Sequence, residues 1–370
     1  MDDIFSYADD LGPLKVIHVT VPEAGVRGVL AVDNVAAGPS IGGLRMAPDV
    51  STEECVRLAR AMTLKNAAAG LPHGGGKSVL VGDPRMPQAD KARLVRGFAS
   101  ALANETGYIF GPDMGTDEQC MAWVRDEIGR AVGLPRELGG IPLDELGATG
   151  FGLFHAAEVA IEHCNFGLDG ARLVVQGFGS VGIHAARFLR DKGVVLVGAA
   201  DSGGTVHDPN GLDVDALIER KQAGRSVTDA AGGEKLDRDA VIGLDCDIWI
   251  PAARPDIVNE QNVDQVKARL ILQGANIPIT PGAERVLHER GVINVPDFIA
   301  NAGGVICAAM EYAGATETGA FQAIAEKIRA NTGAVLEKAR AEKVTPREAA
   351  VALAGERVRN AMSTRRWSVF

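Results

Sequence analysis

The stretch that most restricts what this chain can fold into begins at Leu173. Leu173-Val-Val-Gln176 is a short apolar run with the composition of a buried strand. It leads straight into Gly177-Phe178-Gly179-Ser180-Val181-Gly182. Helical spacing follows, with Val181, Ala185, Phe188 and Leu189 on the expected inner face. Strand, glycine loop and helix in that order make a dinucleotide-binding fingerprint in its proper context. The first glycine permits the tight turn, the second lets the backbone approach a pyrophosphate, and the third lets the helix pack closely on the strand. The helix N-terminus favours the phosphate charge. The next apolar run, Val194 to Ala200, ends at Asp201, where the fingerprint carries its acid. A carboxylate there would accept hydrogen bonds from the adenosine ribose hydroxyls and repel a 2′-phosphate. Ser202-Gly-Gly204 supplies no Arg or Lys to neutralise such a phosphate, so the pattern favours NAD over NADP.

Further short runs, Asp247-Ile-Trp-Ile250, Leu270-Ile-Leu272 and Val292-Ile-Asn-Val295, alternate with helical patterns. Such runs suit a parallel sheet buried on both faces. The first half differs. Leu14 to Val21 alternates weakly like a strand, Gly38-Pro-Ser-Ile-Gly-Gly43 reads as a glycine-rich turn, and a helix follows. Ser51-x-x-Glu54 is a capping-box pattern for that helix, and Leu58, Ala61, Met62 and Lys65 fall on one stripe. The breaker cluster Gly139-Gly-Ile-Pro142 marks a domain boundary. The tail, from about Phe321 to Met362, reads as two helices broken near Thr345-Pro346. The expected architecture is α/β with two domains. One is an N-terminal α/β substrate and oligomerisation domain over 1–138, joined by C-terminal helices from about 330 to 370. The other is a Rossmann-type doubly wound dinucleotide-binding domain over 139–329.

Composition excludes several classes. A net charge of −10 argues against nucleic acid as the main partner. The five cysteines, Cys55, Cys120, Cys164, Cys246 and Cys307, include no C-x-x-C pair, which fits a reducing cytoplasm better than a disulfide framework or zinc site. Met1-Asp-Asp-Ile-Phe lacks the basic and apolar regions of a signal peptide. No apolar run approaches the ~20 residues of a membrane helix.

The first half also carries a polar cluster. Lys65 lies on the apolar stripe, Leu71-Pro-His-Gly-Gly-Gly-Lys77 sets a second lysine behind three glycines, and Gly111-Pro-Asp113 adds a carboxylate. Glycines let a ligand approach the backbone. A lysine in a dry site loses stability of its charged form, so it can serve in acid–base chemistry near neutral pH. Spacing alone leaves other roles open: Lys65 snorkelling to solvent, Lys77 as a loop charge, Asp113 capping a turn, His73 as a plain loop histidine. His155 and His163 lie eight apart without a carboxylate partner motif, so no metal is expected.

The chain resembles the glutamate/leucine/phenylalanine/valine dehydrogenases over nearly its whole length. The blocks that carry the resemblance are Gly42-Gly-Leu-Arg-Met46, Met62-Thr-Leu-Lys-Asn-Ala67, Gly74-Gly-Gly-Lys77, Gly111-Pro-Asp113, Ala148-Thr-Gly150, the glycine fingerprint, Gly274-Ala-Asn276 and Pro296-Asp-Phe-Ile-Ala-Asn301-Ala-Gly-Gly304. The resemblance implies oxidative deamination of an amino acid to its 2-oxo acid and ammonia, with NAD as cofactor and a homo-oligomer as the working form. It implies that Lys65 holds the substrate α-carboxylate, Lys77 activates water, and Asp113 exchanges protons with the substrate nitrogen. Asn301 falls near the substrate amino group, and Gly43 and Val305 border the substrate. Thr149, Ala252, Ala275 and Asn276 fall on the cofactor side.

Glutamate-specific members of that family carry a lysine before the first Gly-Gly and a serine three residues after the valine of the Asn-Ala-Gly-Gly-Val block. Here these positions are Ile41 and Ala308. Burying a side-chain carboxylate unpaired costs several kcal/mol. The pocket therefore reads as apolar, suited to leucine, valine, isoleucine or phenylalanine. Val344-Thr-Pro-Arg-Glu-Ala-Ala350 also resembles the leucine and phenylalanine branch, whereas Ala200 to Asp213 and Gly274-Ala-Asn276 look more like glutamate enzymes. Two alternatives stand beside this reading: a glutamate dehydrogenase with a rebuilt side-chain site, and a catalytically silent NAD-binding regulator.

Overall fold

The computed structural model describes residues 4–230 and 232–364; the acidic start, Met1-Asp-Asp, lies outside them. The chain forms two compact α/β units. The first takes Met1–Pro142, Val305–Ala320 and Val351–Phe370, and the second takes Leu143–Gly304 and Phe321–Ala350.

The first unit holds a sheet of β1 (Lys15–Val21), β2 (Val26–Asn34), β3 (Ser40–Ala47), β4 (Gly75–Val81) and β5 (Tyr108–Pro112), in the order β1-β2-β4-β3-β5. Helices α1 (Thr52–Ala68), α2 (Gln88–Ala101) and α3 (Glu118–Ile128) complete its N-terminal part. The glycine-rich stretch expected as a turn is instead the start of β3, which is parallel to both β4 and β5. Pairing on both edges overrides the poor strand propensity of glycine. The glycines permit close approach, because a Cβ at Gly42 would stand 1.7 Å from the Gly76 carbonyl oxygen. Leu30, Leu44, Met46, Phe98, Phe110 and Met121 fill the core.

Ser51 caps α1 by accepting the Glu54 amide at 3.1 Å. The reciprocal half of the capping box is not formed, because the Glu54 carboxylate turns to Arg45 at 2.5 Å. The buried face of α1 is Cys55, Val56, Ala59, Thr63, Asn66 and Ala67, set by β2 and β4 beneath it. Leu58, Met62 and Lys65 are half-buried and Ala61 is exposed, so the stripe carrying Lys65 is not the core-facing one.

The second unit begins with α4 (Leu143–Leu146) and α5 (Ala148–Ala160). It continues through β6 (Arg172–Gln176), α6 (Ser180–Arg190), β7 (Val195–Asp201), β8 (Gly204–His207), α7 (Val214–Gln222) and β9 (Glu234–Leu236). Then come β10 (Ile248–Pro251), β11 (Leu270–Leu272), α8 (Pro281–Glu289), β12 (Ile293–Val295) and α9 (Asp297–Ala300). The sheet order is β12-β11-β10-β6-β7-β8-β9. The strands from β12 to β7 are parallel, as the continuous apolar runs predict, and Val174, Val197, Trp249 and Ile271 bury between its layers. β8 and β9 extend it antiparallel, an addition their polar sequences did not announce. On α6 the buried residues are Gly182, Ala185, Ala186 and Leu189, while Val181 and Phe188 are half-buried.

The chain ends with α10 (Gly303–Tyr312), α11 (Glu317–Glu342) and α12 (Pro346–Thr364). The expected break between the last two is real: Lys343 takes a left-handed φ of 57°. Thr345 and Glu348 then form a reciprocal capping box, at 2.8 Å from the Thr345 amide to Glu348 Oε2 and 3.2 Å from the Glu348 amide to Thr345 Oγ1. Within the second unit, Arg347 pairs with Glu284 at 2.7 Å and Asp297 at 2.9 Å, and donates to Gln273 at 2.9 Å. Both carboxylates are buried, so removing this cation would cost about 3–5 kcal/mol. Among the described residues no helix is long and apolar enough to cross a membrane, and no group of His, Cys, Asp and Glu is placed to hold a metal. All five cysteines are free thiols.

Candidate active site

Three strands of the first unit bring its polar groups together. Gly43 lies in β3 between the Ile41–Gly75 and Leu44–Ser78 pairs, which sets Lys77 beside it on β4, and Gly111 pairs with it from β5. Asp113 follows β5 directly and Lys77 Nζ meets its Oδ2 at 2.5 Å. A Cβ at Gly43 would stand 2.7 Å from the Asp113 Cβ and 3.1 Å from Lys77 Nζ, so glycine is required for the pair to form. Thr116 Oγ1 accepts the Asp113 amide at 3.0 Å and donates to the Leu44 carbonyl at 2.7 Å, tying the Asp113 turn to β3.

Arg45, within Gly42-Gly-Leu-Arg-Met46, joins this pair without a signal of its own in the sequence. It lies two residues beyond Gly43 on β3 and its Nε reaches Asp113 Oδ2 at 3.1 Å. Strand alternation puts residues 43 and 45 on one face, which was the available signal. Burial alone would push the Asp113 carboxyl up. The adjacent Lys77 ammonium and Arg45 guanidinium outweigh it and hold the group below the usual carboxylate range. The result is a carboxylate kept ionised between two cations, one of them, Lys77, itself buried.

Lys65 is half-buried in the last turn of α1. Ile41 is fully buried in β3, while Val305 and Ala308 are half-buried on α10. His73 is packed rather than free: its Nδ1 lies 3.0 Å from the Pro39 carbonyl and its ring meets Tyr312 edge-on. Burial pushes its imidazole down. His155 does have a carboxylate partner, Glu158 at 2.7 Å, one helical turn away.

The second unit forms a glycine crevice where chain order reverses between β6 and β10, the position at which open α/β sheets bind ligands. Gly177 takes φ of 97°, and a Cβ on it would lie 2.7 Å from the Ala253 Cβ. A Cβ on Gly182 would lie 2.2 Å from the Gly177 oxygen, which is the close helix–strand packing expected of the third glycine. Gly179 differs: no atom comes within 4 Å of where its Cβ would stand. That open space lies at the start of α6, whose first-turn amides have no carbonyl partner within the helix. Phe178 is buried, and Ser180 Oγ donates to the Asp144 carbonyl at 3.1 Å.

Around this loop Ala252 and Val181 border Gly274, and the Ala275 amide donates to the Pro251 carbonyl at 2.8 Å. Asn301 Nδ2 donates to Asn276 Oδ1 at 3.1 Å and to the Gly274 carbonyl at 3.3 Å. Its Oδ1 is buried without a partner. Thr149, in the first turn of α5, stands 3.2 Å from where a Gly304 Cβ would be. An open second glycine and a helix N-terminus fit a dinucleotide.

Asp201, at the end of β7, is held by a network of donors. Both of its oxygens are taken by the protein: Lys221 Nζ at 2.7 Å, Ser226 Oγ at 2.8 Å, and the amides of Gly203 and Val227 at 2.8 and 2.9 Å. Neither Lys221 nor Ser226 was legible as a partner, because α7 and the turn after it lie 20 and 25 residues further on.

Comparison with known proteins gives a consistent picture. Residues 139–366 match the model of Glutamate/Leucine/Phenylalanine/Valine dehydrogenase, and residues 13–130 match that of the Glu/Leu/Phe/Val dehydrogenase dimerisation domain. The NAD-specific glutamate dehydrogenase of Staphylococcus aureus is 36% identical over 96% of this chain and 92% of its own. A hetero-hexameric glutamate dehydrogenase from Thermus thermophilus, in a Leu-bound form, superposes with a TM-score of 0.84 at 29% identity, covering 95% of this chain and 90% of that one. The L-tryptophan dehydrogenase of Nostoc punctiforme gives 0.76 at 25% identity, with 95% and 98% covered.

Proposed function

The chain belongs to the Glutamate/Leucine/Phenylalanine/Valine dehydrogenase family, and from that premise we propose that it oxidatively deaminates an apolar L-amino acid, one of leucine, valine, isoleucine or phenylalanine, to the 2-oxo acid and ammonia, reversibly and with NAD. The observation that carries the reading is the Lys77–Asp113 pair at 2.5 Å, walled by a glycine.

NAD supplies the hydride acceptor for the substrate α-carbon. Gly177, Gly179 and Gly182 cradle its pyrophosphate, with Phe178, Ser180 and Val181 shaping the loop. Thr149, Ala252, Ala275 and Asn276 line the nicotinamide half. Lys65 holds the substrate α-carboxylate. The unpaired Asn301 Oδ1 accepts an N–H of the substrate amine. Once the α-carbon has lost its hydride, water adds to the resulting iminium carbon. Lys77 first passes a proton across its 2.5 Å contact to Asp113 and then, as the neutral amine, takes the proton of that water. Asp113 returns a proton to the nitrogen, and collapse of the carbinolamine releases ammonia. Fixed positive charge from Lys65, Lys77 and Arg45 stabilises the negative charge that develops on oxygen.

Ile41 and Ala308, with Val305, support the apolar side chain: none can pair with a carboxylate, and Ile41 is 4% exposed. The glutamate reading draws support from the 36% relative and from Asn276 and its neighbours. A purified-enzyme panel with leucine, valine, isoleucine, phenylalanine, tryptophan and glutamate, read as NADH absorbance, separates the two. We expect kcat/KM for the best aliphatic or phenyl substrate to exceed that for glutamate by about 100-fold. Glutamate as best substrate would reject the pocket assignment, and silence on every amino acid would favour a regulatory NAD-binding protein. The match to a dimerisation domain supports a homo-oligomer, which a monomer mass in light scattering would contradict.

A further inference from the structure

We propose that Asp297 is a positioning residue of the nucleotide crevice: it clamps Ile277 in a left-handed conformation and thereby sets Asn276 and Asn301 for the bound cofactor. The role rests on reading that crevice as the dinucleotide site, with Asn276 on its nicotinamide half. Ile277 has a backbone that its side chain disfavours. Its φ is 44°. Branching at Cβ makes that region costly for isoleucine, and a residue before proline, here Pro278, favours an extended φ of about −120°. Such outliers persist only where the surroundings over-determine them.

Packing of the Ile277 side chain does not hold it there, because the residue is 54% exposed. Two hydrogen bonds do. The Ile277 amide donates to Asp297 Oδ2 at 2.8 Å, and its carbonyl accepts the Asp256 amide at 2.9 Å. Asp256 is exposed and itself left-handed, at a φ of 51°, so it is the weaker anchor. Asp297 is the firm one. It is buried, and its Oδ1 stands 2.9 Å from Arg347 Nη2, a contact of charge rather than a hydrogen bond. Arg347 is fixed in turn by Glu284 at 2.7 Å and Gln273 at 2.9 Å. The ion pair thus takes one oxygen and leaves the other facing the Ile277 amide.

Asp297 reaches both segments that carry the crevice asparagines. Its carboxylate holds the residue after Asn276, and its backbone carbonyl accepts the Asn301 amide at 2.7 Å. The two asparagines then meet, with Asn301 Nδ2 at 3.1 Å from Asn276 Oδ1. The bond to Asn301 is made by the main chain, whereas the bond to Ile277 needs the carboxylate. Without that acceptor Ile277 relaxes towards a negative φ and turns Asn276 away from Asn301. Neutralising Arg347 asks nothing of residue 277, so the strain there marks a second role for the same acid.

Fluorescence titration of the full-length chain with NADH, read beside the melting temperature, tests this. Asp297→Asn should weaken NADH about tenfold and lower the melting temperature, because Arg347 loses an anion. Adding Ile277→Gly should return the NADH dissociation constant to within about threefold of the original, since glycine takes a positive φ without a clamp. The melting temperature should stay low. Adding Ile277→Ala instead should restore little, because alanine still resists that φ. Ile277→Pro leaves the Asp297–Arg347 pair intact and serves where Asp297→Asn does not fold. Its φ is locked at about −65°, so it should weaken NADH about tenfold or more. Unchanged NADH affinity in Asp297→Asn or in Ile277→Pro would overturn the proposal. A loss in Asp297→Asn that Ile277→Gly fails to relieve would overturn it too and reduce Asp297 to a counter-ion. No NADH binding by the unaltered chain would remove the crevice reading and this role with it.

Discussion

The two candidate sites are built on opposite principles. In the first unit charges meet one another: Lys77, Asp113, Arg45 and Glu54 form an alternating chain with separations of 2.5, 3.1 and 2.5 Å. In the second unit the crevice offers absences: an open space beside Gly179, helix amides without carbonyls, and an Asn301 oxygen with no donor. The first arrangement is complete before a ligand arrives, so its geometry is set by its own ion pairs. The second is satisfied only by what it binds. Proton chemistry needs groups fixed in advance, and a cradle needs room, so the difference suits the roles assigned to them.

The largest effect should come from Lys77→Ala. It should lower kcat by about 10³-fold or more while changing the NADH dissociation constant less than threefold, measured by stopped assay and fluorescence titration. A matching loss of NADH binding would show that the two sites do not act separately. Asp113→Asn should follow, with about a 10²–10⁴-fold loss in kcat, since Lys77 and Arg45 then face each other without their anion. The same variant sharpens the charge argument. The depressed Asp113 pKa contributes stability that is full above the ordinary aspartate value, about 3.9, and is lost as pH falls through the folded value below it. Acid unfolding of the unaltered chain should therefore steepen below about pH 4, and Asp113→Asn should flatten that limb. An identical acid limb in both would mean that the pair does not stabilise the fold.

On the second site, Gly179→Val should cost about 100-fold in NADH affinity with a melting temperature within about 3 °C of the original, because the new side chain enters open space. Gly182→Ala should do the reverse to stability, since its Cβ would strike the Gly177 oxygen. Equal melting losses in both variants would erase the contrast between cradle and packing glycine. The smallest effect is expected from Ile41→Lys with Ala308→Ser, about a tenfold rise in glutamate activity relative to leucine. No rise would count against these two positions as selectors.

The glycine crevice was legible because its determinants are local: strand, glycines and helix lie within 19 residues from Arg172 to Arg190. The Lys77–Asp113 pair was legible only as separate residues. What unites them is the register of β3 between β4 and β5, a non-local fact that Gly42 and Gly43 disguised as a turn. Arg45 was missed because its importance comes from Asp113, 68 residues away. At Asp201 the sequence showed the acid and not its partner, because Lys221 is contributed by the next helix, 20 residues on. The Lys65 stripe failed for a similar reason. Periodicity gives a face, but β2 and β4 decide which face is buried.

Synthesis order gives the Arg347 contacts a temporal meaning. The ribosome makes Glu284 63 residues before the cation that neutralises it, and at about 5–20 residues per second that is several seconds of waiting. Until Arg347 leaves the exit tunnel, the nascent second unit carries acids that cannot be comfortably enclosed. A message truncated just before that codon would therefore yield a chain in which Glu284 and Asp297 never meet their cation.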